Sequence, residues 1–175
     1  MRNLEAGPLR ERLRARLREP APDGAPGAAR PDVTAALTRG VARLFAELGL
    51  APLAEFRLPN GRRADLAGLD RAGRLVFAEI KSCQADFEAD AKWTDYLGYC
   101  DAFYFAVGRD FPAGLLPAGE GLILADAFGG AIMRAAPERP LAPARRRALT
   151  LRFARQAAAR ALGAGADGDV GGGLL

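Results

Sequence analysis

Residues 63–81 read RADLAGLDRAGRLVFAEIK, and this stretch leaves the chain few conformational choices. Two strand-like runs, 63–69 and 74–81, flank a short polar break. The break, Asp70-Arg71-Ala72-Gly73-Arg74, suits a three-residue hairpin loop: a type I turn closed by a left-handed Gly73 with a bulge. That register pairs Asp70 with Arg74. Counted back along both strands, it sets Asp65 opposite Glu79. Because strand side chains alternate, Leu75, Phe77, Glu79 and Lys81 share one face, and Val76, Ala78 and Ile80 share the other.

Opposed residues on one face have β-carbons about 4.5–5.5 Å apart, where two carboxylates repel. In a half-buried sheet that repulsion calls for a positive charge between them. A divalent cation meets the need better than a lone ammonium. Mg²⁺ takes oxygen ligands, typically one or two carboxylates plus waters. Asp65 and Glu79 are the candidate metal ligands, with the carbonyl of Ile80 a further one, and Mg²⁺ or Mn²⁺ the expected cofactor. Lys81 would then orient a water or stabilise charge on a phosphate. The chain has only two lysines, Lys81 and Lys92, among 25 basic residues, and both fall within seventeen positions of each other. Lysine is a compact charge whose pKa responds to its surroundings, which arginine's does not.

Composition narrows the chemistry further. There are no histidines, which excludes Ser-His-Asp and Cys-His catalysis and His-ligated metals. The two cysteines, Cys83 and Cys100, match no zinc spacing and are expected to be reduced. The net charge is +4, but its distribution says more: seven arginines and no acid lie between Arg139 and Arg160, while acids concentrate between Asp65 and Asp101. A basic surface around an acidic centre points to a polyanionic partner and a metal.

Half of the 175 residues are apolar, enough for one real core. No membrane-length apolar run or signal pattern is present, so a cytoplasmic, nucleoid-associated protein with no membrane partner is expected. Residues 1–31 read as a short basic amphipathic helix followed by a Pro/Gly/Ala linker, residues 32–162 as the domain, and 163–175 as a Gly-rich tail of disordered composition. Asp32 can N-cap a helix running to about Leu48, stopped by Gly49. Strands are predicted at 53–58, 63–69, 74–81, 102–107 and 121–126, with a further short one at 131–134. Helices are predicted at 84–99 and 142–162. The resulting order, α-β-β-β-α-β-β-α, is an α/β fold with a mixed sheet flanked by helices.

Asp65, Glu79, Ile80 and Lys81 on such a hairpin resemble the D…(D/E)-x-K core of the PD-(D/E)xK nucleases. That resemblance implies a restriction-endonuclease-like core and a Mg²⁺-dependent phosphodiesterase site. GRRAD at 61–65, EIKSCQADFEADAKWTDYLGYCDAFYFAV at 79–107 and LLPAGEGLILADAFGGAIMRAAPE at 115–138 are further similar to the MmcB-type DNA-repair proteins of the same superfamily. This closer resemblance implies a DNA endonuclease acting in repair, with Asp65 and Glu79 as metal ligands and Lys81 as the catalytic lysine. Asp86, Asp90, Lys92, Trp93 and Tyr96 match the family's following signature. Ala64 stands where the superfamily commonly has proline.

Other candidates carry weaker signals. Asp86 and Asp90 share a helix face, as do Lys92 and Tyr96, and either face can look into a cleft beside Gln84. Acids near a helix start are equally at home in solvent. Trp93 is better read as packing than as a platform for bases. Leu149, Phe153, Ala157 and Ala161 form the packing stripe of the last helix. Its Arg145, Arg146, Arg152 and Arg155, with Arg62 and Arg63, are candidate phosphate contacts. The partner is expected to be DNA, with other repair proteins or RNA left open. The rival reading is a non-catalytic DNA-binding or partner-recruiting domain that keeps the nuclease fold.

Overall fold

A computed structural model describes residues 30–88 and 92–163. The basic N-terminal segment, most of the linker, Asp90 and the Gly-rich tail lie outside the described residues. The elements run α1 (Arg30–Glu47), β1 (Ala51–Arg57), β2 (Arg63–Leu69), β3 (Leu75–Lys81), α2 (Gln84–Glu88), a 3₁₀ helix (Trp93–Tyr99) and β4 (Ala102–Val107). A 3₁₀ turn (Ala113–Leu115), β5 (Gly121–Ala125), β6 (Gly130–Arg134) and α3 (Pro143–Ala161) complete the chain. The six strands form one mixed sheet in sequence order. β3, β4 and β5 are parallel, and the other neighbours are antiparallel. The expected α/β architecture is present, and the short run at 130–134 is a full member of the sheet.

The hairpin register is as expected. Asp70 and Arg74 close the turn, Gly73 has φ 78°, and Leu69 pairs with Leu75, Gly68 with Val76 and Leu66 with Ala78. The Asp70 carboxylate accepts the amides of Ala72 and Arg74, which fixes the loop from within. α1 starts two residues before Asp32. It ends as Gly49 implies: Gly49 (φ 80°) and Leu50 donate back to Ala46 and Phe45 in a Schellman-type cap.

Two apolar layers sandwich the sheet. Leu37, Val41, Leu44 and Phe45 of α1 pack on Leu66, Val76, Ala78 and Ile80. On the opposite face, Leu149 and Phe153 of α3 and the aromatics of the 3₁₀ helix pack on Phe56, Phe77, Phe103 and Phe105. β3 is buried along its whole length, and its alternation places Glu79 and Lys81 in line with Leu75 and Phe77, on the α3 side.

One helix was predicted over 84–99; the structure has two short elements instead. The 3₁₀ helix has about three residues per turn, so Trp93, Tyr96 and Tyr99 align on one side. Trp93 stacks on Phe103 and meets Phe105 edge-on, and Tyr96 stacks on Phe103. Burying this three-residue aromatic repeat against β4 outweighs the better hydrogen-bond geometry of a continuous α-helix. Trp93 is therefore a packing residue. No described helix is long and apolar enough to cross a membrane.

Candidate functional site

The site forms where β2 and β3 part. Regular pairing ends at Leu66–Ala78. Beyond it, the Ile80 amide donates to Asp65 Oδ2 at 2.8 Å, so a side chain takes the place of a ladder carbonyl. The same register, continued one residue, brings Asp65 and Glu79 to the opening of the fork. Glu79 and Lys81 are each only 5% exposed. Lys81 Nζ donates to Glu79 Oε1 at 3.2 Å, and the other oxygen, Oε2, is enclosed and accepts no hydrogen bond. A salt bridge this deep is weak evidence of stabilisation, because desolvating both ions offsets much of their attraction.

Asp65 is under a different tension. Burial pushes its carboxyl above the ordinary range. The Ile80 amide and the Lys81 charge pull it back only in part, and the Glu55 carboxylate pushes it further up. Glu55 is a participant that sequence reasoning missed. The β1–β2 register (Ala54 with Leu66, Phe56 with Ala64) sets it across from Asp65. Glu55 has φ 53°, the left-handed region, at a cost of about 1–2 kcal/mol for a non-glycine residue. The strand alternation breaks here. Leu53 and Phe56 of β1 both reach the α3-side core, and so do Ala64 and Ala67 of β2. Glu55 in turn pairs with Arg63 at 2.5 Å. No local sequence signal marks a glutamate for a left-handed position.

The donor set suits a hard cation. Asp65 and Glu79 are two carboxylates on neighbouring strands, and Mg²⁺ is ordinarily held by one or two carboxylates with waters completing its shell. Among the described residues no cluster of three or more acidic, Cys or His side chains gathers around a metal position. A site here would therefore be a two-carboxylate one.

The remaining candidates scatter. Gln84 opens α2 and is exposed, and Asp86 lies on the same short helix. Lys92 is exposed, whereas Tyr96 is 7% exposed and donates its hydroxyl to the Arg63 carbonyl at 3.0 Å. The shared face expected for these two is absent, because four residues along a 3₁₀ helix do not return to the same side. Tyr96 instead ties this helix to β2 just ahead of Asp65. Arg62 pairs with Asp95 at 2.9 Å, reinforcing that tie.

Most arginines of the C-terminal region engage the chain itself. Arg145 donates to the Gly98 carbonyl at 2.9 Å and lies over the Tyr99 ring. Arg146 grips Asp101 with both terminal nitrogens, at 2.6 and 2.9 Å, and reaches the Gly73 carbonyl. Arg139 holds the buried Glu120 in the same two-pronged way. Arg152 and Arg160 reach carbonyls of β1, together with Gln156, which both donates to and accepts from the backbone of Arg57. α3 thus caps the open edge of β1, and Arg155 stays exposed.

Comparison with known proteins bears on the chain's kinship. A family model described as MmcB-like, DNA repair protein MmcB-like, matches residues 21–167. A solved structure, titled SPO1766 protein of unknown function from Silicibacter pomeroyi, is 47% identical. It superposes with a TM-score of 0.70, over 79% of this chain and 94% of that one. No curated protein matches. A match across so much of the chain settles its kinship: this protein belongs to the MmcB-like DNA repair protein family.

Proposed function

We propose that the protein is a metal-dependent DNA endonuclease acting in repair. The observation that carries this reading is the group at the fork: Glu79 and Lys81 buried side by side on β3, next to an Asp65 anchored on the Ile80 amide. Asp65, Glu79 and the Ile80 carbonyl would hold Mg²⁺ or Mn²⁺. Such an ion supplies Lewis-acid stabilisation of charge on a phosphate and a more acidic water at neutral pH. Asp65, raised by burial, gains the most from a nearby cation. Lys81 is the residue placed to orient the attacking water and to offset charge gathering on the phosphate. Ile80 fixes Asp65 through its amide, so one carboxylate oxygen is positioned before any ligand arrives. Basic residues hold the DNA backbone without reading sequence.

The Lys81–Glu79 contact also favours a second reading. The two charges can neutralise each other, leaving a DNA-binding domain without catalysis. The two readings separate in one assay. Labelled duplex, single-stranded, flapped and branched DNAs are incubated with the protein in Mg²⁺ or Mn²⁺, beside Lys81→Ala and Asp65→Asn. Cleavage by the native chain that vanishes in both variants is the expected result. DNA binding without cleavage, unchanged in both variants, would replace the endonuclease with the binding domain.

A further inference from the structure

Among the described residues, neither neighbouring strand pairs regularly with β2 at Asp65. The β2–β3 ladder stops at Leu66–Ala78. The β1–β2 ladder skips one step, from Ala54–Leu66 to Phe56–Ala64, and Glu55 with its left-handed backbone stands in the gap. Asp65 is therefore carried by a strand whose ladders lapse on both sides at its own position. Glu79, by contrast, lies within the continuous β3–β4 ladder, beside Phe105.

The start of β2 is held instead by the 3₁₀ helix. Tyr96 donates its hydroxyl to the Arg63 carbonyl, two residues before Asp65. Arg62 meets the Asp95 carboxylate through Nε and a terminal nitrogen, both at 2.9 Å. Asn60 donates to the Asp95 carbonyl and accepts the Arg62 amide. On its other side the helix is seated on β4: Trp93 and Tyr96 stack on Phe103, and Trp93 meets Phe105 edge-on. Phe103 and Phe105 are the ladder partners of Phe77 and Glu79. The helix thus braces the strand that carries Asp65 against the residues beside Glu79. Tyr96 is the sheltered part of the brace, at 7% exposed, whereas the Arg62–Asp95 pair faces solvent and contributes less.

We propose that Tyr96 is a positioning residue for the cation site: through the Arg63 carbonyl it sets the separation of Asp65 from Glu79, and so makes the fork prefer Mn²⁺ or Mg²⁺ over Ca²⁺. The inference rests on the reading of the fork as a cation site. Mg²⁺ demands near-ideal octahedral geometry at about 2.0–2.1 Å, and Ca²⁺ accepts variable geometry at about 2.3–2.6 Å. Choice between them follows the width and rigidity of the ligand frame. Two carboxylates on an unbraced fork still attract a divalent ion but lose that discrimination.

The test is Mn²⁺ binding to the full chain, with free Mn²⁺ counted by electron paramagnetic resonance and Ca²⁺ affinity read from its displacement of Mn²⁺. The native chain should bind Mn²⁺ at least ~10-fold more tightly than Ca²⁺. Tyr96→Phe keeps the ring on Phe103 and alters no charge, so Glu55, Arg63 and Lys81 act on Asp65 alike in both proteins. It should weaken Mn²⁺ about 10-fold and Ca²⁺ by no more than ~2-fold. Tyr104→Phe loses a buried hydroxyl on the α1 face and should leave both ions within ~2-fold, which separates the brace from a general loss of stability. Asp65→Asn should bind Mn²⁺ at least ~10-fold more weakly than the native chain. A native chain that binds no Mn²⁺, or an Asp65→Asn protein that binds it equally well, overturns the cation reading and the brace with it. Where Asp65→Asn loses Mn²⁺, three results overturn the brace alone: no native preference between the ions, a native ratio in Tyr96→Phe, or an equal change of ratio in Tyr104→Phe.

Discussion

The two ends of β3 treat the carboxylates beside them, one buried and one half-buried, in opposite ways. At the amino end, Asp101 is 2% exposed. It accepts the amides of Leu75 and Leu141 and both prongs of Arg146. Burial alone would raise its pKa, but these donors outweigh burial and hold the carboxyl below its ordinary value. At the carboxyl end, Asp65 has one amide and a neighbouring like charge, and its pKa goes up. The first arrangement fastens the chain: Asp101 joins β3, β4, the segment before α3, and α3 itself. The second leaves electrostatic tension on a partly exposed carboxylate. A satisfied buried charge marks architecture, and an under-compensated one marks a candidate site.

Removing the fastened charge should have the largest effect. Asp101→Ala leaves Arg146 and two amides without their acceptor and should cost about 3–5 kcal/mol in chemical denaturation. A loss below about 1 kcal/mol would erase the contrast between the two ends. The paired double variants sharpen it. Glu79→Gln with Lys81→Met removes a desolvated pair and should leave stability unchanged or raise it by ~1–3 kcal/mol. Asp101→Asn with Arg146→Met should still destabilise, because an amide side chain cannot accept from both Leu75 and Leu141 as the carboxylate does.

Next in size is the response to cation. In chelator, Asp65→Asn should be more stable than the native chain by about 0.5–1 kcal/mol, since Asn still accepts from Ile80 but carries no half-buried charge. With Mg²⁺ at about a hundred times its Kd, the native chain should gain about 2.7 kcal/mol, and the variant much less. Equal gains in thermal melts would remove Asp65 from the metal site.

The smallest effects lie in pH. Asp65 is raised on folding, so its ionised form opposes the fold. In chelator, stability should fall as pH rises from the ordinary carboxylate range through its raised value, and Asp65→Asn should abolish that decline. Asp101 is depressed, so its contribution is complete above the ordinary carboxylate value. It should be lost as pH falls through the lower folded value, and Asp101→Asn should flatten that acid limb.

Local rules made part of this molecule legible in advance. The turn at 70–74, the Gly49 helix stop, the faces of β3 and the packing stripe of α3 as far as Ala157 follow from residues within a few positions of one another, whereas Ala161, expected to continue that stripe, is exposed. Turn chemistry and side-chain period therefore determine them. Contacts across long sequence separations decided the rest. The aromatic repeat at Trp93, Tyr96 and Tyr99 was visible as spacing, but only the aromatic surface of β4 makes a 3₁₀ helix its best arrangement. Asp101 carried no mark of its role, because its donors come from the first residue of β3, from the segment before α3 and from α3 itself. The arginines of α3 were countable in the sequence, whereas their acceptors are carbonyls of β1 and of the loop before β4. Glu55 gave no signal at all, because its left-handed backbone is set by strands and a helix that meet only when the sheet closes. By itself the sequence determined which residues could do chemistry and how the hairpin aligns them. Tertiary structure decided which charges are satisfied, because a buried charge is neutralised by whatever the fold brings within hydrogen-bonding distance.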